Sequence, residues 1–407
     1  MTKLNRWVYG IVGVIICLCV GLVYAWSVMA NPIAAEFSDW TKAELSLTFT
    51  LTMMMFCVGG LIAGFLNKKI KARFFIWISA ILMFMGFLIS ANITSIGMLY
   101  FGFGILGGLA AGFAYSAVMG TVCAWFPDKQ GLISGILLMG FGISSFLVGK
   151  LYAAYTPDYI GGWRDSFKFI AILLLIVLAV CGIFIKKPDA DFKAPGLANQ
   201  KKNVREPAEE IGTATMLKRP PFWFYYIWAV LISAAGLIIV SQASGIASQV
   251  GPEVGVGTIA TVVGLISIFN GIGRVLFGAL FDKVGYKKTM ILDMVIFIAA
   301  GIIVLLAMLS GAFALIVIGY IIAGIAYGGV TPTNSAIISD FFGRKNFAMN
   351  FPVINTNLLF ASFGSTIAGK LFDASGSYFS TMILFIGLVI VSFVIFLFIR
   401  RPKTKEQ

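Results

Sequence analysis

The sequence predicts an all-α integral membrane protein whose twelve transmembrane helices form two pseudo-symmetric bundles of six. Two observations carry this prediction. Of the 407 residues, 59% are hydrophobic and only 12% are charged, which is far more apolar than an ordinary soluble domain. Twelve apolar runs follow one another between residues 7 and 399, and each has about the ~20 residues that a helix needs to cross a bilayer.

These runs favour helices over the strands of a membrane barrel. They are continuously apolar and lack the alternating period that barrel strands show. Small residues recur along them, for example at Gly104, Gly108 and Gly112. Such residues let helix backbones approach closely within lipid.

The distribution of basic residues predicts the orientation of the chain. A net charge of +13 would suit a nucleic-acid partner, but 24 of the 30 Lys and Arg fall in loops on one side of the predicted membrane. An even number of spans puts both termini on that same side, so the asymmetry is the positive-inside pattern. We expect a multi-pass protein of the inner (plasma) membrane with both termini cytoplasmic, in contact with the lipid bilayer and with no nucleic acid.

A polar segment divides the spans into two groups. Residues 187–221 are mixed in charge and carry proline near both ends, as is typical of a linker. We expect an N-terminal bundle over 1–186 and a C-terminal bundle over 222–407, joined by this cytoplasmic linker. GFLNKKIKAR at 64–73 aligns with GALFDKVGYK at 278–287, which suggests a repeat. A six-plus-six repeat predicts a substrate site near the bilayer midplane between the bundles.

The chain lacks the sequence signatures of an enzyme. It has no histidine, and its five cysteines all fall inside predicted spans without a CxxC pair. Phosphate-binding loops and catalytic-triad motifs are absent as well. We therefore expect no catalytic residue, no cofactor, no metal site and no disulfide framework.

Arg274 lies near the middle of the eighth span, in the run SIFNGIGRVLFG. A charge at that depth is costly when it faces lipid, so this side chain is expected to face the interior or a water-filled cavity. The acids nearest in sequence, Asp282 and Asp293, lie toward the cytoplasmic edge. An unpaired guanidinium matches a carboxylate through two parallel hydrogen bonds. The alternative is a structural arginine that bonds backbone carbonyls or a buried acid.

Other polar side chains could complete such a site. Asn270 lies one helical turn before Arg274 and is expected to orient it or to bond the ligand, unless it joins two helices. Tyr24, Tyr115 and Tyr327 lie within spans and away from the interfacial belts. A ligand or a local carbonyl could satisfy each hydroxyl.

Three further features of the later spans are weaker candidates. Asn355 and Asn357 fall in span 11, and Gln242 falls in span 7. Pro332, with glycines beside it, is expected to interrupt span 10, as breaks near transporter binding sites do.

Several segments resemble known transporters. GALFDKVGYKK after span 8 resembles the loop motif of the major facilitator superfamily, although the first-half copy, GFLNKKIKA, lacks its acid. YAWSVMANP, WFPDKQGLISG, IFNGIGRVLFGALFDKVG and TNSAI are similar to segments of the oxalate/formate antiporter family, which is close to the monocarboxylate transporters. The resemblance implies the major facilitator fold and transport of a small organic anion.

The same resemblance implies roles for individual residues. It makes Arg274 the carboxylate-binding arginine and places Tyr24, Tyr115 and Tyr327 at aromatic positions that line the oxalate site. Phe141 falls at a tyrosine position of that family, so one hydroxyl is missing here.

The resemblance also implies a difference in substrate. The oxalate exchanger carries a second basic residue, a lysine, in span 11, and an alignment through KNF at 345–347 places that position on Ile354. A site with one cation should bind a dianion poorly, because the second carboxylate loses its hydration without compensation. We expect a small monocarboxylate such as formate, lactate or pyruvate.

A second difference from the related carriers bears on the mode of transport. Proton-coupled monocarboxylate carriers often place an acid one turn before the arginine, where this chain has Asn270. The empty carrier would then have to move an uncompensated Arg274, which favours anion exchange. Proton-coupled symport, a carboxylate sensor that does not transport, and an exporter of amphipathic drugs remain as alternatives. We expect a monomer.

Overall fold

A computed structural model describes residues 5–66, 69–126, 130–157, 159–189, 209–343 and 346–402. Helices make up nearly all of these ranges, and no strand occurs within them. Within the described ranges, ten helices are long and apolar enough to cross a membrane. The predicted all-α membrane architecture is therefore confirmed.

Six spanning helices precede the polar linker. They are α1 Arg6–Glu36, α2 Lys42–Leu66, α3 Ala72–Ala91, α4 Ile96–Trp125, α5 Gln130–Tyr155 and α6 Trp163–Phe184. Two of them are irregular. A 3₁₀ segment, Gly21–Ala25, interrupts α1, and a π-helical segment, Tyr100–Gly107, lies within α4. Such mid-helix departures often mark functional positions.

The second group begins with α7, Pro220–Val250. The helix Val256–Ser310 then runs for 55 residues, and at Gly285 its backbone leaves the helical region with φ 76° and ψ 177°. Only glycine adopts this conformation readily, so the chain turns there between α8 (256–284) and α9 (286–310). The helix α10, Phe313–Phe342, follows.

The eleventh span is broken into three pieces. Phe347–Asn355, Asn357–Ala361 and Phe363–Ser375 together form α11, and α12 is Phe379–Phe396. The ten long helices thus amount to twelve passes, because one contains two spans and α11 consists of short pieces. Because the number of passes is even, the first and last described residues, 5 and 402, fall on one side of the molecule, called here the terminal side, and the other is the opposite side.

Proline at position 332 does not interrupt α10, contrary to the sequence expectation. The helix runs through it without a break. The missing N–H of Pro332 leaves the Gly328 carbonyl, four residues earlier, without its usual helical partner. Next to it, the Thr333 hydroxyl donates to the Gly329 carbonyl oxygen at 2.8 Å. Proline within a membrane helix is tolerated in protein-lined surroundings of this kind.

The helices α8 and α10 pack with their backbones in close contact. A Cβ built on Gly273 would lie 2.2 Å from the Ile325 carbonyl oxygen, and one on Gly328 would lie 2.3 Å from the Asn270 carbonyl oxygen. Real Cβ atoms do not approach so closely, so both positions require glycine. This contact fixes the part of α8 that carries Arg274.

Hydrogen bonds between the two groups of helices concentrate toward the opposite side. Others lie near the middle of the spans, for example the bond between the hydroxyls of Tyr24 and Tyr327. Those toward the opposite side include Asn31 to Ser244, Gln242 to Ser46, Thr50 to Thr366, Lys150 to Thr261, and the backbone of Lys42 and Ala43 to Asp373.

Candidate functional site

A small cavity lies between the two groups of helices, near the middle of the spans. Its volume is about 30 Å³, which on the usual scale holds about two water-sized groups. Side chains from both groups line it: Tyr24, Phe56, Tyr115, Phe141, Ser233, Arg274, Tyr327, Val330, Thr331, Asn334, Asn355 and Leu358. Among the described residues of this wall, Arg274 is the one that carries a charge.

The guanidinium of Arg274 is held from two sides, and one of its nitrogens is left over. The residue is only 4% exposed. Its Nε donates to Oδ1 of Asn270 at 2.9 Å, and its Nη1 donates to the Leu138 carbonyl oxygen on α5 at 2.7 Å. Within the described ranges, Nη2 makes no hydrogen bond and the side chain has no carboxylate partner. The side chain therefore brings an unneutralised positive charge to the cavity.

Asn270 supports the arginine from behind. It is 5% exposed but does not line the cavity. Its carbonyl oxygen is the acceptor for Arg274, and a Cβ built on Gly142 would lie 3.1 Å from that oxygen. Of the two roles predicted for Asn270, the structure fits orientation of Arg274 and not direct contact with a ligand in this cavity.

Aromatic rings form one wall of the cavity. The hydroxyls of Tyr24 and Tyr327 lie 3.3 Å apart. The ring of Phe141 lies 5.5 Å from that of Tyr24 and 5.3 Å from that of Tyr115, centroid to centroid. Cζ of Arg274 lies 6.0 Å from the centroid of Phe141, within the range of a cation–π contact. All four predicted aromatic residues therefore meet around the arginine.

Two residues of the cavity wall lie at irregular positions of the backbone. Tyr24 lies in the 3₁₀ segment that interrupts α1, and Asn355 is the last residue before the break in α11. Irregular backbone of this kind is tolerated at membrane depth where it lines a cavity.

Two neighbouring residues of α11 differ in their access to the cavity. Ile354, on which the sequence alignment placed the lysine position, is fully buried and does not line the cavity. The next residue, Asn355, does line it. The position that faces the site is thus also neutral, and the prediction of a single cation does not depend on Ile354.

Two weaker candidates lie elsewhere. Asn357 donates to the Ala229 carbonyl oxygen and to the Ser233 hydroxyl, at 3.0 and 2.9 Å, and so ties α11 to α7. Gln242 lies nearer the opposite side, where it donates to the Ser46 hydroxyl at 2.9 Å.

Sequence reasoning did not select several residues of the wall, among them Phe56, Ser233 and Asn334. Asn334 had a detectable signal, because Tyr327, Val330, Thr331 and Asn334 follow the i, i+3, i+4, i+7 spacing of one helical face. Asn334 is held in place by the Tyr225 hydroxyl, which donates to its Oδ1 at 2.7 Å.

Of the two acids nearest in sequence, Asp282 is exposed, and the buried one, Asp293, does not neutralise Arg274. It is fully buried in α9, and neither of its carboxylate oxygens has a hydrogen-bond partner among the described residues. A Cβ built on Gly329 of α10 would lie 2.8 Å from its Oδ1. The carboxylate therefore lies behind α10, outside the cavity wall.

The described ranges contain no group of three or more His, Cys, Asp or Glu residues arranged to hold a metal ion. All five cysteines are free thiols in the structure.

Comparison with known proteins agrees with this architecture. The family model described as the Major Facilitator Superfamily matches residues 11–357 and 246–407. The chain is 25% identical to the oxalate:formate antiporter of Oxalobacter formigenes over 398 residues, which cover 96% of this chain and 92% of the relative. It is 22% identical to monocarboxylate transporter 13 of Rattus norvegicus over 371 residues, which cover 90% of this chain and 82% of the relative.

The fold is also found among solved structures. A bacterial homologue of the human lysosomal transporter Spinster, in an inward-facing and unoccupied conformation, superimposes with a TM-score of 0.73 at 16% sequence identity and covers 98% of each chain. The chain therefore belongs to the major facilitator superfamily, as a multi-pass membrane transporter with the twelve-helix fold.

Proposed function

We propose that this protein is a secondary-active transporter that exchanges small monocarboxylates by alternating access. One observation carries the proposal. Among the described residues, Arg274 is the one that brings a charge to the cavity shared by both groups of helices, and it has no carboxylate partner there. A buried charge without a counter-charge is costly. A carboxylate bound beside Nη2 would supply that counter-charge.

The charge of the cavity supports a monoanion. One guanidinium balances one carboxylate, and the remaining polar groups in the wall are neutral hydroxyls and amides. A second carboxylate would lose its hydration among aromatic rings without a cation to compensate. Oxalate is therefore expected to bind more weakly than a monocarboxylate.

The size of the cavity supports the smallest members of this class. About 30 Å³ is room for about two water-sized groups, which suits formate better than lactate or pyruvate in this conformation. The relatives are consistent with the class, since one is named an oxalate:formate antiporter and another a monocarboxylate transporter.

The support for exchange lies in the surroundings of Arg274. The residue one turn earlier is the amide Asn270, and Asp293 lies outside the cavity wall. No titratable acid in the described wall can replace the substrate's charge while the empty carrier changes conformation. Net movement of the empty carrier is thus disfavoured, and exchange of one anion for another is favoured over proton-coupled symport.

Arrangement in the membrane is part of the same proposal. The positive-inside pattern puts both termini and the 187–221 linker on the cytoplasmic side of the inner (plasma) membrane. The bundles 1–186 and 222–407 would rock about the cavity as a monomer. No enzymatic activity, cofactor or nucleic-acid partner enters the proposal.

Counterflow in proteoliposomes tests the proposal. Vesicles loaded with unlabelled formate should accumulate labelled formate transiently, lactate and pyruvate should compete, and oxalate should compete poorly. Arg274→Ala should abolish the counterflow. Robust net uptake of formate driven by a pH gradient, without any internal anion, would replace exchange by proton symport. Specific binding without accumulation would favour a sensor.

A further inference from the structure

A second cavity lies between the two groups of helices, nearer the opposite side. Its volume is also about 30 Å³. It shares α1, α2 and α7 with the cavity of Arg274, and Tyr378, the residue just before α12, completes its wall. Its wall consists of Trp26, Ser27, Ala30, Asn31, Lys42, Leu45, Ser46, Ser241, Gln242, Gly245 and Tyr378. We call it the outer cavity.

The outer cavity lies on the path between the Arg274 site and the opposite side. Along α7, Ser233 lines the first cavity and Gln242 the second. Nine residues separate them, which is about 13 Å along a helix. A substrate that enters or leaves between the bundles on that side must pass the outer cavity.

The wall of the outer cavity is built for an anion. Among the described wall residues Lys42 is the one with a charge, and none is acidic. The Lys42 ammonium makes no salt bridge within the described ranges, although the carboxylate of Asp373, outside the wall, acts on it electrostatically. The nearest competing acid, Asp373, directs both carboxylate oxygens at backbone N–H groups, those of Lys42 and Ala43, at 3.0 and 2.9 Å.

A buried hydroxyl in the same wall independently indicates a missing ligand. Ser27 is 4% exposed, and its Oγ has no hydrogen-bond partner among the described residues. A buried hydroxyl without a partner is costly. By contrast, Asn31 donates to the Ser244 hydroxyl at 2.6 Å, and Gln242 donates to Ser46. The Ser27 hydroxyl is therefore free to donate to a ligand in the cavity.

We propose that the outer cavity is a second binding position for the transported carboxylate, with the Lys42 ammonium as its cation and the Ser27 hydroxyl as a donor. The inference rests on the proposed function, because the ligand is the same anion. One positive charge and neutral donors suit a small monoanion here as well. The substrate occupies this position before it reaches Arg274 from the opposite side, or after it leaves Arg274 toward that side.

Sided transport assays test this position. Initial rates of labelled formate exchange are measured against formate concentration in right-side-out and inverted membrane vesicles, at low and high ionic strength. Lys42→Gln should raise the half-saturating concentration from the opposite side about five- to tenfold at low salt, because a charge that concentrates an anion is lost. The value from the terminal side should be unchanged.

Matched variants separate this effect from a folding defect. Lys42→Arg should behave as the wild type, and Ser27→Ala should show a smaller rise on the same side only. Lys370→Gln removes an exposed lysine of α11 that does not line the outer cavity, and it should change neither value. If Lys42→Gln does not reach the membrane, Ser27→Ala tests the proposal alone: its half-saturating formate concentration should rise from the opposite side only.

Two results would overturn the outer position. In the first, Lys42→Gln and Ser27→Ala keep the wild-type half-saturating formate concentration from the opposite side. In the second, that concentration rises equally from both sides of the membrane. Neither would affect the proposal for Arg274. A wild-type protein that exchanges no monocarboxylate would remove both proposals together, and so the two failures are distinguishable.

Discussion

Arg274 and Asn270 form a pair within one helical turn of α8, in which the guanidinium Nε donates to the amide oxygen at 2.9 Å. The amide fixes the direction of the guanidinium without neutralising it. The Leu138 carbonyl oxygen on α5 does the same at Nη1. The charge is thus oriented by dipoles alone, and it stays available for an anion in the cavity.

An acid at position 270 should convert this pair into an internal ion pair. In Asn270→Asp the ionised carboxylate would compete with the substrate for Arg274. We expect the half-saturating formate concentration to rise at neutral pH by roughly tenfold, in line with ~1.5–3 kcal/mol for hydrogen bonds to charged groups. As the pH falls, the new carboxyl takes up a proton and releases the guanidinium. The half-saturating formate concentration should then fall again.

Exchange rates measured in a pH series on Asn270→Asp check this expectation. Asn270→Gln, which keeps an amide, is the control and should show the pH dependence of the wild type. A half-saturating concentration in Asn270→Asp that does not change with pH would contradict the pairing.

The shape of the guanidinium should matter as well as its charge. Arg274→Lys keeps one positive charge but loses the planar fork that binds Asn270, Leu138 and a carboxylate at once. We expect kcat/KM for formate exchange to fall about 10- to 100-fold, equivalent to roughly 1.4–2.8 kcal/mol. Full activity of Arg274→Lys would show that a point charge is sufficient.

Much of this arrangement was predictable from the sequence, because each spanning helix corresponds to an apolar run. A charged residue inside such a run is easily recognised. Arg274 was identified in this way, its three tyrosine neighbours were identified from their depth within the spans, and Phe141 was identified from the resemblance to a family. Pairing across helices is a different matter. Phe56 and Ser233 carry no local signal that separates a wall residue from a core residue, and only the packing of α2 and α7 brings them to the cavity.

Registers were less predictable where helices are irregular. The α11 helix breaks after Asn355, so a gapless alignment selected Ile354, which points away from the cavity. At Pro332 the sequence predicted a break that does not occur, because α10 continues through a residue that usually interrupts helices. Lys42 lies just before the second apolar run, where a lysine carries no signal of a site. Its place in the outer cavity depends on contacts between helices far apart in sequence.

A second cation in the cavity should extend the substrate range to dianions. Asn355 lines the cavity, so Asn355→Lys places an ammonium in the wall that already carries Arg274. We expect oxalate to become a substrate that competes with formate, because the second carboxylate now has a partner. Counterflow of labelled oxalate in proteoliposomes measures this gain.

The neighbouring position supplies a matched control for that gain. Ile354 is fully buried and outside the cavity wall, so Ile354→Lys should bury a charge without creating an oxalate site and should lower the amount of folded protein. Oxalate transport by Ile354→Lys, and none by Asn355→Lys, would restore the register of the gapless alignment.

A carboxylate links the two groups of helices on the opposite side. Asp373 at the end of α11 accepts hydrogen bonds from the backbone N–H groups of Lys42 and Ala43, at the start of α2. A carboxylate is favourable at a helix N-terminus, and this one belongs to the other group of helices. Asp373→Ala removes a link between the groups worth about 1 kcal/mol, so states open on the opposite side should become several times more populated.

Reactivity of an introduced thiol reports this shift. Ser46 lines the outer cavity and is buried, so the thiol of Ser46→Cys should react faster with a membrane-impermeant maleimide when Asp373→Ala is also present. Asp165→Ala is the control, because Asp165 bonds Tyr159 and Lys168 within the first group of helices, and it should leave the rate unchanged. Equal rates with and without Asp373→Ala would show that this carboxylate does not hold the opposite side closed.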